Sequence, residues 1–297
     1  MAFNFLKVAM LLRHVFSPKK GKVITPATAK EVLRAQPGQE ATVPVDFGLS
    51  RAEIRRSETT VVFVTEWGEV ELALNILGKL ADSDKVLFLD VEGQTYVVEV
   101  RGEHYYKLRY LGEMTPPTLE IDGVHMHNIT GTTPDLDARR KVNSIRVKRG
   151  EKGLDICTGL GYTSIEALRR GASVITIEAD LNVLQIAEHN PFSRDLAKAE
   201  IILGDAFQLL DELPGESFDF ILHDPPVFAF APNLYSLEFY LKLYKVLKPT
   251  GRLFHYTGAP GKHRGIDIQR GVSNRLRKAG FTVIRVEEEY GIVAVKR

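Results

Sequence analysis

From residue 150 onward the chain alternates between short β-branched runs and helical patterns, and this alternation restricts the possible folds more than any other feature. The runs at 153–157 (GLDIC), 173–178 (SVITIE), 199–204 (AEIILG), 218–223 (FDFILH) and 252–257 (RLFHYT) read as strands, with helical patterns near 163–170, 181–190, 206–212, 234–247 and 266–279. Repeated strand–helix alternation predicts an α/β fold, a doubly wound parallel sheet covered on both faces. The alternation then stops. Residues 281–289 and 291–296 are two β runs with only a turn around Gly291 between them, which predicts a C-terminal β-hairpin.

The N-terminal part reads differently. Residues 59–65 (TTVVFVT), 85–91 (KVLFLDV) and 94–100 (QTYVVEV) predict strands, and 69–81 (EVELALNILGKLA) predicts a helix. Together these predict a small α+β domain over 1–112. The run Met114-Thr115-Pro116-Pro117 marks a boundary; 113–149 is expected as a linker and helix, and 150–297 as a second domain built on the alternating pattern. The helix expected over 133–146 has a clear start: Thr133 to cap it, Pro134 in the first turn, and Asp135 and Asp137 at the positive end of the dipole.

Cys157, the only cysteine among 297 residues, excludes a disulfide framework and a cysteine-based zinc cluster, and points to a cytoplasmic location. The apolar run Phe3–Leu12 is interrupted by Lys7 and is too short for a membrane span of about 20 residues. It predicts an amphipathic helix and no membrane partner.

Four stretches carry chemistry. Asp155-Ile156-Cys157-Thr158-Gly159-Leu160-Gly161-Tyr162 falls between the first strand of the alternation and its helix. Glycines there let the backbone turn tightly and approach a ligand, beside unpaired helix N–H groups. Position 164 is Ser, so the third glycine of the dinucleotide fingerprint is missing. Glu178, ending the second strand, is placed to accept both hydroxyls of a ribose, which fits NAD and S-adenosylmethionine about equally. Asp205-Ala206 follows the third strand; an aspartate there can accept from an adenine amino group, or simply cap a helix. Asp224-Pro225-Pro226 leaves the fourth strand at the carboxyl edge, where open sheets bind ligands. Its prolines have no N–H, so the loop presents only acceptors. Such a loop can hold the two hydrogens of a planar amine, with Phe228 available to stack on its ring.

With these residues in view, residues from about 124 to 297 resemble the Rossmann-like, seven-stranded S-adenosylmethionine-dependent methyltransferases, whose sheet ends in an antiparallel hairpin. The resemblance implies S-adenosylmethionine as cofactor, held by Asp155, Cys157, Thr158, Gly159, Gly161, Tyr162, Glu178, Asp205 and Ala206. It implies Asp224, Pro225, Pro226 and Phe228 as the catalytic loop of the branch that methylates amines. That branch usually has an aromatic residue directly after the prolines; here Val227 intervenes. Pro44-Val45-Asp46-Phe47-Gly48 and Gly123-Val124-His125-Met126-His127-Asn128 also resemble a group of archaeal RNA methyltransferases, some of which look like N4-cytidine methyltransferases of ribosomal RNA. The implied partner is RNA, the implied role rRNA processing, and no metal is required. His125 and His127 alternate, so on a strand they would share a face and could line the pocket.

The rival readings are methylation of a protein or small-molecule amine, and a non-catalytic RNA-binding protein that keeps the fold. The net charge of +1 is uneven: residues 1–30 carry six basic groups and no acid, and residues 252–285 carry eight basic groups against Asp267 alone. Local basic fields of this kind attract polyanions. If the N-terminal stretch grips RNA, replacing Lys19, Lys20 and Lys22 should weaken binding and flatten its dependence on salt. Unchanged affinity across a salt titration would remove that stretch from the interface.

Overall fold

The structure, a computed structural model, describes residues 13–226, 228, 230–258, 268–286 and 290–297. The helix expected over Phe3–Leu12, Val227, and the charges of Lys262, Arg264 and Asp267 lie outside the described residues. Two compact units emerge: Ser17–Pro134 with Asn182–Arg194, and Met1–Phe16 with Asp135–Leu181 and Asp195–Arg297. The described chain opens on a two-residue strand, β1 (Arg13–His14), which belongs to the second unit.

The first unit holds three antiparallel sheets and three α-helices among the described residues, the third at 182–188. Strand β2 (Gly21–Ile24) precedes helix α1 (Pro26–Arg34), whose start is a reciprocal cap. The Thr28 amide donates to the Thr25 hydroxyl and the Thr25 amide to the Thr28 hydroxyl. Strands β3 (Glu40–Val45), β4 (Ser50–Arg56), β5 (Thr60–Thr65) and β6 (Gly68–Ala73) form a meander, followed by α2 (Leu74–Ala81). A second sheet pairs β2 with β7 (Leu87–Asp90) and β8 (Thr95–Val97); a third joins β9 (Glu99–Arg101), β10 (Tyr105–Arg109), β11 (Thr118–Ile121) and β12 (Val124–His125). Val32, Val45, Ile54, Phe63 and Leu77 meet in the core between the meander and the helices.

Two expectations change here. The strand expected over 94–100 is split between β8 and β9, which lie in different sheets. Residues 69–81 are not one helix: β6 occupies the first part and α2 starts only at Leu74. Val70 and Leu72 are buried while Glu69 and Glu71 are exposed, a two-residue period that suits a half-buried strand. Pairing of Phe63 with Val70 and of Val61 with Leu72 on β5 outweighs the helical preference of the glutamates and leucine.

From α3 (Pro134–Ser144) the chain runs through β13 (Lys152–Ile156), α4 (Tyr162–Arg169), β14 (Ser173–Glu178), α5 (Leu181–Glu188), β15 (Glu200–Leu203), α6 (Ala206–Glu212), β16 (Phe218–His223), α7 (Leu237–Val246), β17 (Leu247–Tyr256), α8 (Ile268–Lys278) and the hairpin β18 (Phe281–Val286) and β19 (Gly291–Lys296); α5 from Asn182 on belongs to the first unit, and the strands and other helices to the second. One sheet runs in the order β1-β15-β14-β13-β16-β17-β19-β18. Strands β13 to β17 pair in parallel, while β19 is antiparallel to both β17 and β18. The fold is therefore the expected Rossmann-like doubly wound sheet with a terminal hairpin. β1, antiparallel to β15, is an addition the sequence did not signal.

One face of the sheet carries Leu154, Ile156 and Ile221 against Leu210 of α6, Leu243 of α7 and Leu276 of α8. The other carries Phe220, Leu222 and Phe254 against Val142 of α3 and Ala167 of α4. Among the described residues no helix is long and apolar enough to cross a membrane.

Gly153 on β13 faces the Phe220 ring so closely that a Cβ there would lie 2.1 Å from it. Gly153→Ala should therefore destabilise by about 1–3 kcal/mol, lowering the melting temperature by roughly 2–12 °C for a unit of this size. Adding Phe220→Leu should return part of the loss. A single variant that melts like the wild type would show that this close approach does not exist.

Candidate functional site

The loop after β13 turns by left-handed residues: Cys157 has φ 70°, Gly159 55° and Gly161 79°. The amides of Cys157 and Thr158 both donate to the Ile177 carbonyl (3.0 and 3.2 Å), which lays the loop along β14, and the Gly161 amide donates to the Thr158 carbonyl (2.8 Å). Glycine at 161 is required twice, by its φ and because a Cβ would sit 2.7 Å from the Leu196 side chain. Cys157 adopts a conformation that a glycine takes without strain, at a cost of order 1 kcal/mol. Burial and the carboxylates of Glu178 and Asp224 push its thiol pKa well up.

Asp155 is fully buried and accepts from the hydroxyls of Thr163 (3.0 Å), Ser164 (2.5 Å) and Thr176 (3.5 Å). Burial raises its pKa to about 7, against the pull of those hydroxyls. It braces the first turn of α4 against the sheet, so its effect on a ligand passes through the loop. Thr158 and Tyr162 are also buried, Thr158 bonding the Thr176 hydroxyl at 2.6 Å.

Glu178, at the end of β14, joins the same cluster. One carboxylate oxygen accepts from the Gly159 amide (3.0 Å), the other from the amides of Ala179 (2.9 Å) and Asp180 (3.1 Å). Burial raises its pKa, and those three amides oppose the rise. The Gly204 amide after β15 donates to the Glu178 carbonyl at 2.7 Å, so three strand ends converge on this residue. Asp205 caps α6 by accepting from the Phe207 amide at 2.8 Å, and Ala206 is buried behind it. The cap is one of the two roles open to Asp205 from sequence; its second carboxylate oxygen has no hydrogen bond from the described residues.

Asp224-Pro225-Pro226 leaves β16 beside this loop. The Asp224 amide donates to the Ile156 carbonyl at 3.3 Å, so the acceptor segment and the glycine loop share one rim. Burial raises the Asp224 pKa and the Lys141 ammonium opposes it. Pro225 is buried, and the Pro226 carbonyl accepts from the Tyr235 hydroxyl at 2.8 Å. Phe228 is exposed and stands edge-on to Tyr235, with centroids 5.4 Å apart.

Two groups here were missed from sequence. Lys141, on α3, is buried with its Nζ 2.6 Å from Asp224 Oδ2, 2.7 Å from Asp137 Oδ2 and 4.3 Å over the Tyr256 ring. The signal was legible: Ala138, Lys141, Val142 and Ile145 fall at helical core spacing, and Asp137 lies four residues before Lys141. His223 and His255 are fully buried, with rings 4.3 Å apart. His255 Nε2 meets the Tyr240 hydroxyl at 2.9 Å, while both ring nitrogens of His223 lack a partner among the described residues.

The remaining candidates lie in the first unit. Only His125 is in a strand, β12, where its Nε2 is 2.7 Å from Arg109 and 3.3 Å from Glu120. His127 Nδ1 is 2.9 Å from the Thr118 hydroxyl. Among the described residues no group of three or more His, Cys, Asp or Glu is placed to hold a metal ion. Two of the three N-terminal lysines are paired internally: Lys19 with Glu188 (3.8 Å) and Lys22 with Asp46 (3.7 Å) and Glu66 (3.6 Å). In the C-terminal basic stretch, Arg252 pairs with Glu151.

Comparison with known proteins places this geometry in context. The family described as "Conserved hypothetical protein 95" matches residues 124–285. "Uncharacterized protein MJ1233" of Methanocaldococcus jannaschii is 44% identical over 277 residues, 92% of this chain and 95% of that protein. From the same organism, "Putative ribosomal RNA large subunit methyltransferase MJ1653" is 36% identical over 109 residues, 35% of this chain; the match spans only 28% of that protein's length. Among solved structures, spermidine synthase from Thermotoga maritima superposes with a TM-score of 0.52 at 19% identity, covering 67% of this chain and 72% of that one, a likeness of fold alone.

The histidine pair has a consequence for stability. Burial lowers the pKa of His223 well below its usual value and that of His255 to about 3. The unfolded chain binds protons near pH 6.5 that the native state excludes, so these groups make stability fall as pH drops through and below that point. His223→Phe removes two unpartnered polar atoms and should be neutral or stabilising at pH 7.5, while reducing the acid loss between about pH 6.5 and 4. Urea unfolding at both pH values checks this; a loss above about 2 kcal/mol at pH 7.5 would reveal a hydrogen bond at His223.

Proposed function

This chain belongs to the family described as "Conserved hypothetical protein 95", and from that premise we propose that it is an S-adenosylmethionine-dependent methyltransferase acting on an exocyclic amine of an RNA base, with N4 of cytidine in ribosomal RNA as the substrate. The observation that carries the reading is the Asp224 N–H···O=C bond to Ile156. It sets an all-acceptor loop beside a glycine loop built to admit a ligand. The relative named for ribosomal RNA methylation supports RNA as the substrate class.

The residues present fit the cofactor. Left-handed Cys157, Gly159 and Gly161 turn the loop tightly at the end of β13, beside the Glu178 carboxylate. Glu178, held by three amides, is an acceptor for the ribose hydroxyls, with Asp205 and Ala206 for the adenine edge; Cys157, Thr158 and Tyr162 shape the loop between them. When bound, S-adenosylmethionine supplies a methyl group already activated on a sulfonium. The chain then has to align and polarise. An amine conjugated to a ring is a weak nucleophile. Asp224 and the Pro225 carbonyl accept its two hydrogens and turn its lone pair toward the methyl carbon. Because Tyr235 occupies the Pro226 carbonyl, that proline stiffens the loop rather than binding the amine. Phe228 offers its exposed ring to the base. Lys20 is the member of the N-terminal triplet with no ion pair among the described residues, and it carries the expected weakening of RNA binding.

Incubation with methyl-labelled cofactor and total RNA, followed by digestion to nucleosides, should place label in N4-methylated cytidine. Asp224→Ala should lower transfer by about 10²–10⁴ and leave cofactor affinity nearly unchanged. Label confined to protein or a small amine, or aminopropyl transfer to a polyamine in place of methylation, would overturn the proposal.

A further inference from the structure

We propose that Lys141, anchored by Asp137, is the positioning residue of the transfer: it fixes one oxygen of Asp224 so that the other is presented to the substrate amine. This rests on the methyl-transfer reading above. Lys141 is buried on a row of α3 otherwise occupied by Ala138, Val142 and Ile145, where an apolar side chain would serve packing alone. Its ammonium lies between Asp224 Oδ2 and Asp137 Oδ2 and over the Tyr256 ring, so its three hydrogens are occupied. It has none left for a substrate.

Nor can it serve as a base. The two carboxylates raise its pKa and outweigh burial, so it stays protonated. Its influence therefore passes through Asp224. Oδ2 is committed to Lys141, and Oδ1 has no partner among the described residues. The three side chains carry a net charge of −1. In the reaction the N–C bond forms as the C–S bond breaks, and positive charge moves from sulfur to nitrogen. The nitrogen then gives a proton to Asp224 Oδ1, from which it passes to water. A negative cluster favours that cationic nitrogen, provided Asp224 is ionised when the amine arrives.

The other titratable groups facing Asp224 are Asp137, Asp155, Cys157, Tyr235 and Tyr256. None supplies a positive charge, so among the described residues Lys141 is the cation that opposes protonation of Asp224. The two members of the anchor act with opposite sign. Removing the lysine raises the Asp224 pKa further; removing the Asp137 charge lowers it.

Lys141→Gln should move the acid limb of the pH–rate profile up by about 1–3 units, so that its deficit shrinks as pH rises, with the KM for cofactor little changed. Lys141→Arg should return the limb part of the way. Asp137→Asn should move the limb down, and this variant decides the matter if Lys141→Gln does not fold. Infrared titration of the Asp224 carboxyl, as a difference against Asp224→Asn without cofactor or RNA, should show the same opposed shifts. Methyl transfer in the wild type with both limbs unmoved would overturn the role of Lys141. No transfer in the wild type would instead overturn the reading of function on which it rests.

Discussion

Everything in the α/β unit depends on the position of β13, paired in parallel with β14 on one side and β16 on the other. Chain connections leave this strand's neighbours in opposite directions along the sheet, so a crevice opens at its carboxyl end. Residues 157–161 turn into that crevice, Glu178 closes one side, and Asp224 enters from the other. The hydrogen bond from Asp224 to Ile156 is the ladder's last rung, and it converts a general property of open sheets into a specific juxtaposition.

The electrostatics of the rim, among the described residues, follow from four carboxylates gathered around one buried ammonium. Asp155, Glu178, Asp137 and Asp224 gather near the ends of three strands, and Lys141 is the buried cation among them. Burial pushes each of Asp155, Glu178 and Asp224 toward the neutral form, and each is held back by a different device: hydroxyls, backbone amides and an ammonium respectively. A rim of this sign suits a cationic cofactor such as S-adenosylmethionine.

Local pattern carried much of the fold. The terminal hairpin, the five strands before it and the cap at Asp205 all depend on neighbours within a dozen residues, and all appear where periodicity and capping chemistry put them. Residues 69–73 differ because glutamate, leucine and alanine favour helix, whereas Val70 and Leu72 pair across a hairpin with Phe63 and Val61, a pairing that outweighs the propensity of the segment itself. Lys141 was passed over because a charge on a helix is ordinarily solvated; what buries this one is an aspartate 83 residues away.

In the α/β unit the sequence by itself determined the five parallel strands, the terminal hairpin, and which loops carry glycine turns or the acceptor-only prolines, because these follow from periodicity and the chemistry of glycine and proline. Tertiary structure decided which of those loops meet. It brought Glu178 onto the Gly159 amide, set Asp224 against Ile156, and gave Asp224 its lysine. Those contacts join residues distant in the chain, and parallel pairing specifies them only once the order of strands in the sheet is fixed.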